Sequence, residues 1–119
     1  MEISWQAVKA ILREVLQEEL GAGRYAMAPR FEGGTLEIKP ADPKLKSKEI
    51  PVDAFFKKIT SVREKLRVLE QKINHSESLS NTERAEFQTL ISRAYGSLTT
   101  FNVLFKDEED RFSGMKGGE

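Results

Sequence analysis

Two runs of apolar residues advance in alternating steps of three and four on either side of a short polar stretch. Val52, Phe55, Ile59, Val62, Leu66, Leu69 and Ile73 form the first, and Phe87, Ile91, Ala94, Leu98, Phe101 and Phe105 the second. Such spacing collects each set on one face of an α-helix. Two of these faces joined by a turn predict an antiparallel helical hairpin with a coiled-coil seam. A seam of this kind accounts for a fold and a mode of association, but none of its residues performs chemistry.

Local signals sharpen the boundaries. Pro51 suits a first helical turn and Asp53 places a carboxylate near its positive end, so the first long helix is predicted from Pro51 to Ile73. Asn74 to Leu79 supply the turn, and Ser80 with Glu83 has the spacing of a capping box that opens the next helix. The run Tyr95 to Val103 is poor in strong helix formers, yet its apolar periodicity stays helical. The second long helix is therefore expected to reach Lys106, where Asp107, Glu108, Glu109 and Asp110 oppose its dipole. Gly96, inside that helix, is read as a point of close backbone packing.

Upstream, Ser4 is a candidate N-cap, with Ile3 and Val8 placed to form a hydrophobic staple. Val8, Ile11, Leu12, Val15, Leu16 and Leu20 make an apolar stripe, with Lys9, Arg13, Glu14, Glu18 and Glu19 facing away. Gly21 and Gly23 provide a stop, so a helix is predicted over about residues 5–20. Residues 25–39 read as a β-hairpin turning at Gly33–Gly34. That register pairs 32 with 35, 31 with 36, 30 with 37 and 29 with 38, and collects Pro29, Phe31, Leu36 and Ile38 on one face. Residues 40–51, with Pro40, Pro43 and Pro51, read as an exposed connection carrying Lys44, Lys46 and Lys48. The expected fold is α+β and mostly helical: an N-terminal helix, a two-stranded β-hairpin, then a long antiparallel helical hairpin. Residues 1–110 form one domain, and 111–119, with Gly114, Gly117 and Gly118, form a flexible tail.

Charge limits the function classes. Acidic and basic residues balance at 19 each, so no global field drives the molecule onto nucleic acid or an anionic membrane. The middle is nonetheless basic, with 10 basic and 6 acidic groups in residues 37–75. Nucleic-acid binding through residues 44–72 is the alternative function, weakened because Glu49, Asp53, Glu64 and Glu70 interrupt the lysines and arginines. Cysteine is absent, which removes disulfides, thiolate nucleophiles and Cys-type zinc sites, and favours a cytoplasmic setting. No signal peptide or membrane span is expected.

No catalytic, cofactor-binding or metal-binding set can be assembled. His75 is the only histidine and falls in the predicted turn, and residues 107–110 lack the alternating ligand spacing of a calcium loop. Gly21, Ala22 and Gly23 follow a helix rather than a strand, so they form no phosphate loop. The expectation is a non-catalytic protein–protein interaction or adaptor module that needs no cofactor. A two-stranded ribbon is marginal alone, so a homodimer is expected, with Phe31, Leu36, Ile38, Lys44, Lys46 and Lys48 contacting the partner.

Overall fold

A computed structural model describes residues 4–20 and 25–115 of the chain. The first helix, α1 (Trp5–Leu20), has the predicted bounds. The staple at Ile3 and the stop at Gly21 and Gly23 lie outside the described residues. Two short strands follow, β1 (Thr35–Ile38) and β2 (Lys48–Pro51), and then two helices, α2 (Val52–His75) and α3 (Asn81–Ser97). The fold is α+β, and the two long helices run antiparallel as their seams require.

The β-ribbon exists, but with a different partner from the one predicted. Strand β1 pairs antiparallel with β2, Leu36 opposite Ile50 and Ile38 opposite Lys48, across a proline-containing loop at 39–47. Residues Pro29–Phe31 form a 3₁₀ turn instead of a strand. The reason is local chemistry. Pro29 has a fixed φ and no N–H, which suits the start of a helical turn better than a ladder. Gly33, at φ 73°, then reverses the chain so that the Gly34 N–H bonds the Phe31 carbonyl at 3.0 Å. The Gly34 carbonyl in turn accepts from Val52 N at 3.0 Å, tying this turn to the start of α2. Residues 26–28 do adopt extended backbone, but against 104–106: Ala28 N bonds Leu104 O and Lys106 N bonds Ala26 O.

The core is a cluster of aromatic and aliphatic side chains at the ribbon end. Val52, Phe56, Ile59, Leu104, Phe105 and Phe112 are buried there, and Phe31, Leu36, Phe55 and Phe101 pack around them. The Phe105 ring meets Phe56, Phe112 and Tyr25 edge-on at 5.2, 5.5 and 6.0 Å between centroids. On α2 the buried row advances in steps of four through Val52, Phe56, Thr60 and Glu64, the ridge along which helices meet neighbours at an angle. The heptad reading therefore misplaces Val62 and Leu69, which are 44% and 47% exposed.

Helix α3 opens as predicted, with Ser80 Oγ accepting from Glu83 N and Glu83 Oε1 accepting from Ser80 N, both at 3.1 Å. Across the turn, the Arg84 guanidinium donates to the carbonyls of Ile73, Asn74 and Ser76, satisfying the open end of α2. Helix α3 ends at Ser97, not near Lys106. The Thr99 hydroxyl bonds the Gly96 carbonyl, and the chain tightens into a 3₁₀ helix at Thr99–Leu104. Three residues per turn keep Leu98, Phe101 and Leu104 on one side, so the apolar spacing looks helical while the helix type changes.

The predicted tail is packed over its first residues. Phe112 is 4% exposed in the core, and the Asn102 amide bonds both its N–H, at 2.6 Å, and its carbonyl, at 3.0 Å. Gly114 lies so close to α3 that a Cβ there would sit 2.2 Å from the Ser92 carbonyl and 3.0 Å from Gly96 N. Gly96 is buried, and its lack of a side chain serves this close approach.

Candidate functional site

Helix α2 carries two contrasting features, a polar cluster on one side and an open apolar row on the other. The cluster forms where Tyr25, α2, the end of α3 and the strap 109–113 converge on a cleft of about 430 Å³. Tyr25 donates its hydroxyl to Glu64 Oε1 at 2.5 Å and accepts from Arg63 Nε at 3.2 Å. The Arg63 guanidinium lies 5.0 and 5.1 Å from the ring centroids of Tyr25 and Phe112 and donates to the Asp110 carbonyl. Arg67 reaches the same Glu64 oxygen at 3.9 Å.

Burial and then the Glu64 hydrogen bond raise the Tyr25 pKa above 10.0, against the lowering influence of Arg63. Tyr95 is shifted upward too, chiefly by burial and next by the negative charge of Glu70. Both phenols therefore hold their protons through the neutral range. The polar groups join the N-terminal segment and the C-terminal strap to α2, the arrangement of a clamp. Arg63 and Glu64 sit in a sequence run that looks like a solvated, salt-bridged face, yet Glu64 is 4% exposed. Its position four residues after Thr60 on the buried row was the available signal.

The expected partner-binding residues are divided by the structure. Phe31 and Leu36 pack against the core cluster, whereas Ile38 is 54% exposed. Lys44 and Lys46 are exposed on the loop, and Lys48 is exposed at the start of β2. His75 is the exposed last residue of α2. Among the described residues, no group of histidine, aspartate and glutamate is arranged to hold a metal ion.

Part of the open apolar row, Val62, Leu69 and Phe87, lies within the predicted seams. On α1, Trp5, Ile11, Leu12, Val15 and Leu16 are 48–67% exposed, although this helix touches α2. On the hairpin, Val62 and Leu69 flank the residues of α2 that meet α3, and Phe87 and Leu90 flank those of α3 that meet α2. By helical step these four lie on the same side of the hairpin.

A protein-family model described as Domain of unknown function (DUF8685) matches residues 22–111. The chain belongs to this family. Its matched span takes in the β-ribbon, the helical hairpin and most of the clamp, and starts after α1. No curated protein and no solved structure matches the chain. Among the described residues, no helix is long and apolar enough to cross a membrane.

Proposed function

We propose that this chain is a non-catalytic protein–protein interaction module, with the helical faces as its docking surface. The observation that carries the reading is the row of large apolar side chains left open on α1 and on one side of the α2–α3 hairpin. Single exposed leucines are ordinary, but an amphipathic helix on which Trp5, Ile11, Leu12, Val15 and Leu16 are all about half exposed or more is a binding element without its counterpart. The shape agrees: a radius of gyration of 18.2 Å exceeds the roughly 13.5 Å of a compact chain this long. The clamp supports a non-catalytic role, since its arginine, tyrosine and glutamate bond to one another and to backbone.

Relative to the sequence expectation, the weight moves from the ribbon to the helices, because Phe31 and Leu36 pack in the core. The cytoplasm is the proposed compartment, in keeping with a chain that uses no cysteine. The test is capture of a partner from the native host by the wild-type chain and by Leu12→Glu and Leu69→Glu variants, read by mass spectrometry. A partner retrieved by wild type and lost by both variants is the expected result. Equal retrieval by all three would sink the reading. Salt-sensitive capture of nucleic acid, lost on changing Lys44, Lys46 and Lys48 to glutamate, would favour the alternative.

A further inference from the structure

We infer that the occupant of the open hairpin side is a second copy of this chain, with α1 of each protomer lying on the α2–α3 side of the other. This rests on the interaction reading above and names its partner. The two open surfaces have the same character: a helical stripe on α1 and, on the hairpin, an apolar side formed by two parallel-sided helices. One copy cannot bury both fully, since α1 contacts α2 in the monomer and still leaves its stripe about half exposed. A two-fold pair brings each stripe onto its counterpart, and the same contact occurs twice.

Three quantities favour a copy over a foreign protein. The first is area: a stable interface takes about 800 Å² from each partner. Large apolar side chains with 44–67% of their surface open on α1, α2 and α3 supply area of that order on both sides at once. The second is charge. Lys58 and Lys65 each stand one helical turn before an open residue, Val62 and Leu69, and form an exposed basic edge. Glu14 stands three residues after Ile11 and gives the α1 stripe an acidic edge to meet it. Lys9 and Arg13 occupy the other edge, where a docked α1 faces water. The third is self-compatibility, since equal numbers of acidic and basic residues leave two copies no net repulsion to overcome.

The absence of cysteine makes the geometry directly testable. Full-length chains carrying Leu12→Cys are mixed with chains carrying Val62→Cys, Leu69→Cys or Leu90→Cys, oxidised, and analysed on non-reducing gels. Sedimentation of the unmodified protein is run over a range of concentrations. The expected result is a concentration-dependent dimer together with a disulfide between unlike chains in at least one mixture. Leu69→Glu should weaken the dimer more than a hundredfold, and Lys58→Glu with Lys65→Glu about three- to tenfold. Circular dichroism of each variant separates lost association from lost folding.

A dimer that gives no such disulfide would overturn the exchange of α1 while leaving an interaction module standing. A monomer in which Leu12→Cys and Leu69→Cys join within one chain would overturn it by showing that α1 folds onto its own hairpin. A monomer at every concentration, giving no disulfide at all, would overturn the choice of a second copy. Host capture would then decide whether the broader reading survives.

Discussion

The ribbon end and the rest of the hairpin share one helix, α2, and use it in opposite ways. At the ribbon end Val52, Phe56 and Ile59 are enclosed by Phe105, Phe112 and Leu104, and the polar neighbours Tyr25, Arg63 and Glu64 bond to each other. On another face of the same helix Val62 and, further along, Leu69 stand nearly half open. The difference lies in how many segments cover the helix. Four pieces of chain converge on its first half: the segment 25–31, the ribbon, the 3₁₀ helix and the strap. Over its second half α3 is the main cover within the described hairpin, and one helix shields only one side of another. A closed core thus provides stability, while the open seam on the same helix is the surface proposed for association.

Substitutions at the two ends should separate these roles. Phe105, 1% exposed and touching three rings, should cost about 3–5 kcal/mol on change to alanine, measured by denaturant titration. Leu69→Ala should cost under about 1 kcal/mol in the monomer, since much of its side chain already meets water. Equal losses would erase the distinction between a closed and an open end.

The strap gives the next largest effect. Gly114→Ala would drive a Cβ into the Ser92 carbonyl, which is backbone and cannot swing aside. A loss of about 1–3 kcal/mol is expected, with faster amide exchange at Phe112. An unchanged melting temperature would mean that the strap contributes little to the closed end.

At the far tip of the hairpin, Ser80→Ala should cost about 1 kcal/mol by removing the cap of α3. The backbone and side-chain bonds of Ser80 lower the Glu83 pKa below 4.5. A lowered carboxylate stabilises the fold above its unfolded value, and the benefit fades as pH falls through the folded one. The gap between wild type and Ser80→Ala should therefore narrow in acid.

The smallest effect concerns Tyr25. Its pKa is raised, so its contribution is complete below pH 10.0 and declines as pH rises through the higher folded value, where a phenolate would face Glu64. Tyr25→Phe should be less stable than wild type near neutrality but lose less between about pH 9 and 11. Parallel pH curves for the two proteins would show that the hydroxyl does not titrate against Glu64.

Much of this architecture is written in short-range pattern. Helix α1, the span of α2 and the Ser80–Glu83 cap follow from spacing and capping chemistry within one or two turns. Those signals involve neighbours along the chain, so they survive without knowledge of the fold. The open apolar row was legible only in part. Sequence identified Ile11, Leu12, Val15 and Leu16 as an apolar stripe, but assigned Val62, Leu69 and Phe87 to the interior, because periodicity reports that a face is apolar and not what covers it.

Tertiary structure decided the remainder. Strand β1 could meet either flank, and the choice of β2 over residues 29–32 turned on Pro29 starting a 3₁₀ turn and on Leu36 and Ile50 pairing above α2. Burial of Glu64 and the anchoring of Arg63 depended on Tyr25 and the strap arriving from distant parts of the chain, a coincidence no local window contains. The same holds for Phe112, which sits among glycines and charges and is buried because Asn102 fixes its backbone beside Phe105. Sequence determined which stretches became helices and which faces were apolar, because those properties arise from neighbours three and four residues apart. Which faces were closed was set by contacts between segments tens of residues apart, where loop entropy and side-chain shape select one arrangement among several of equal local merit.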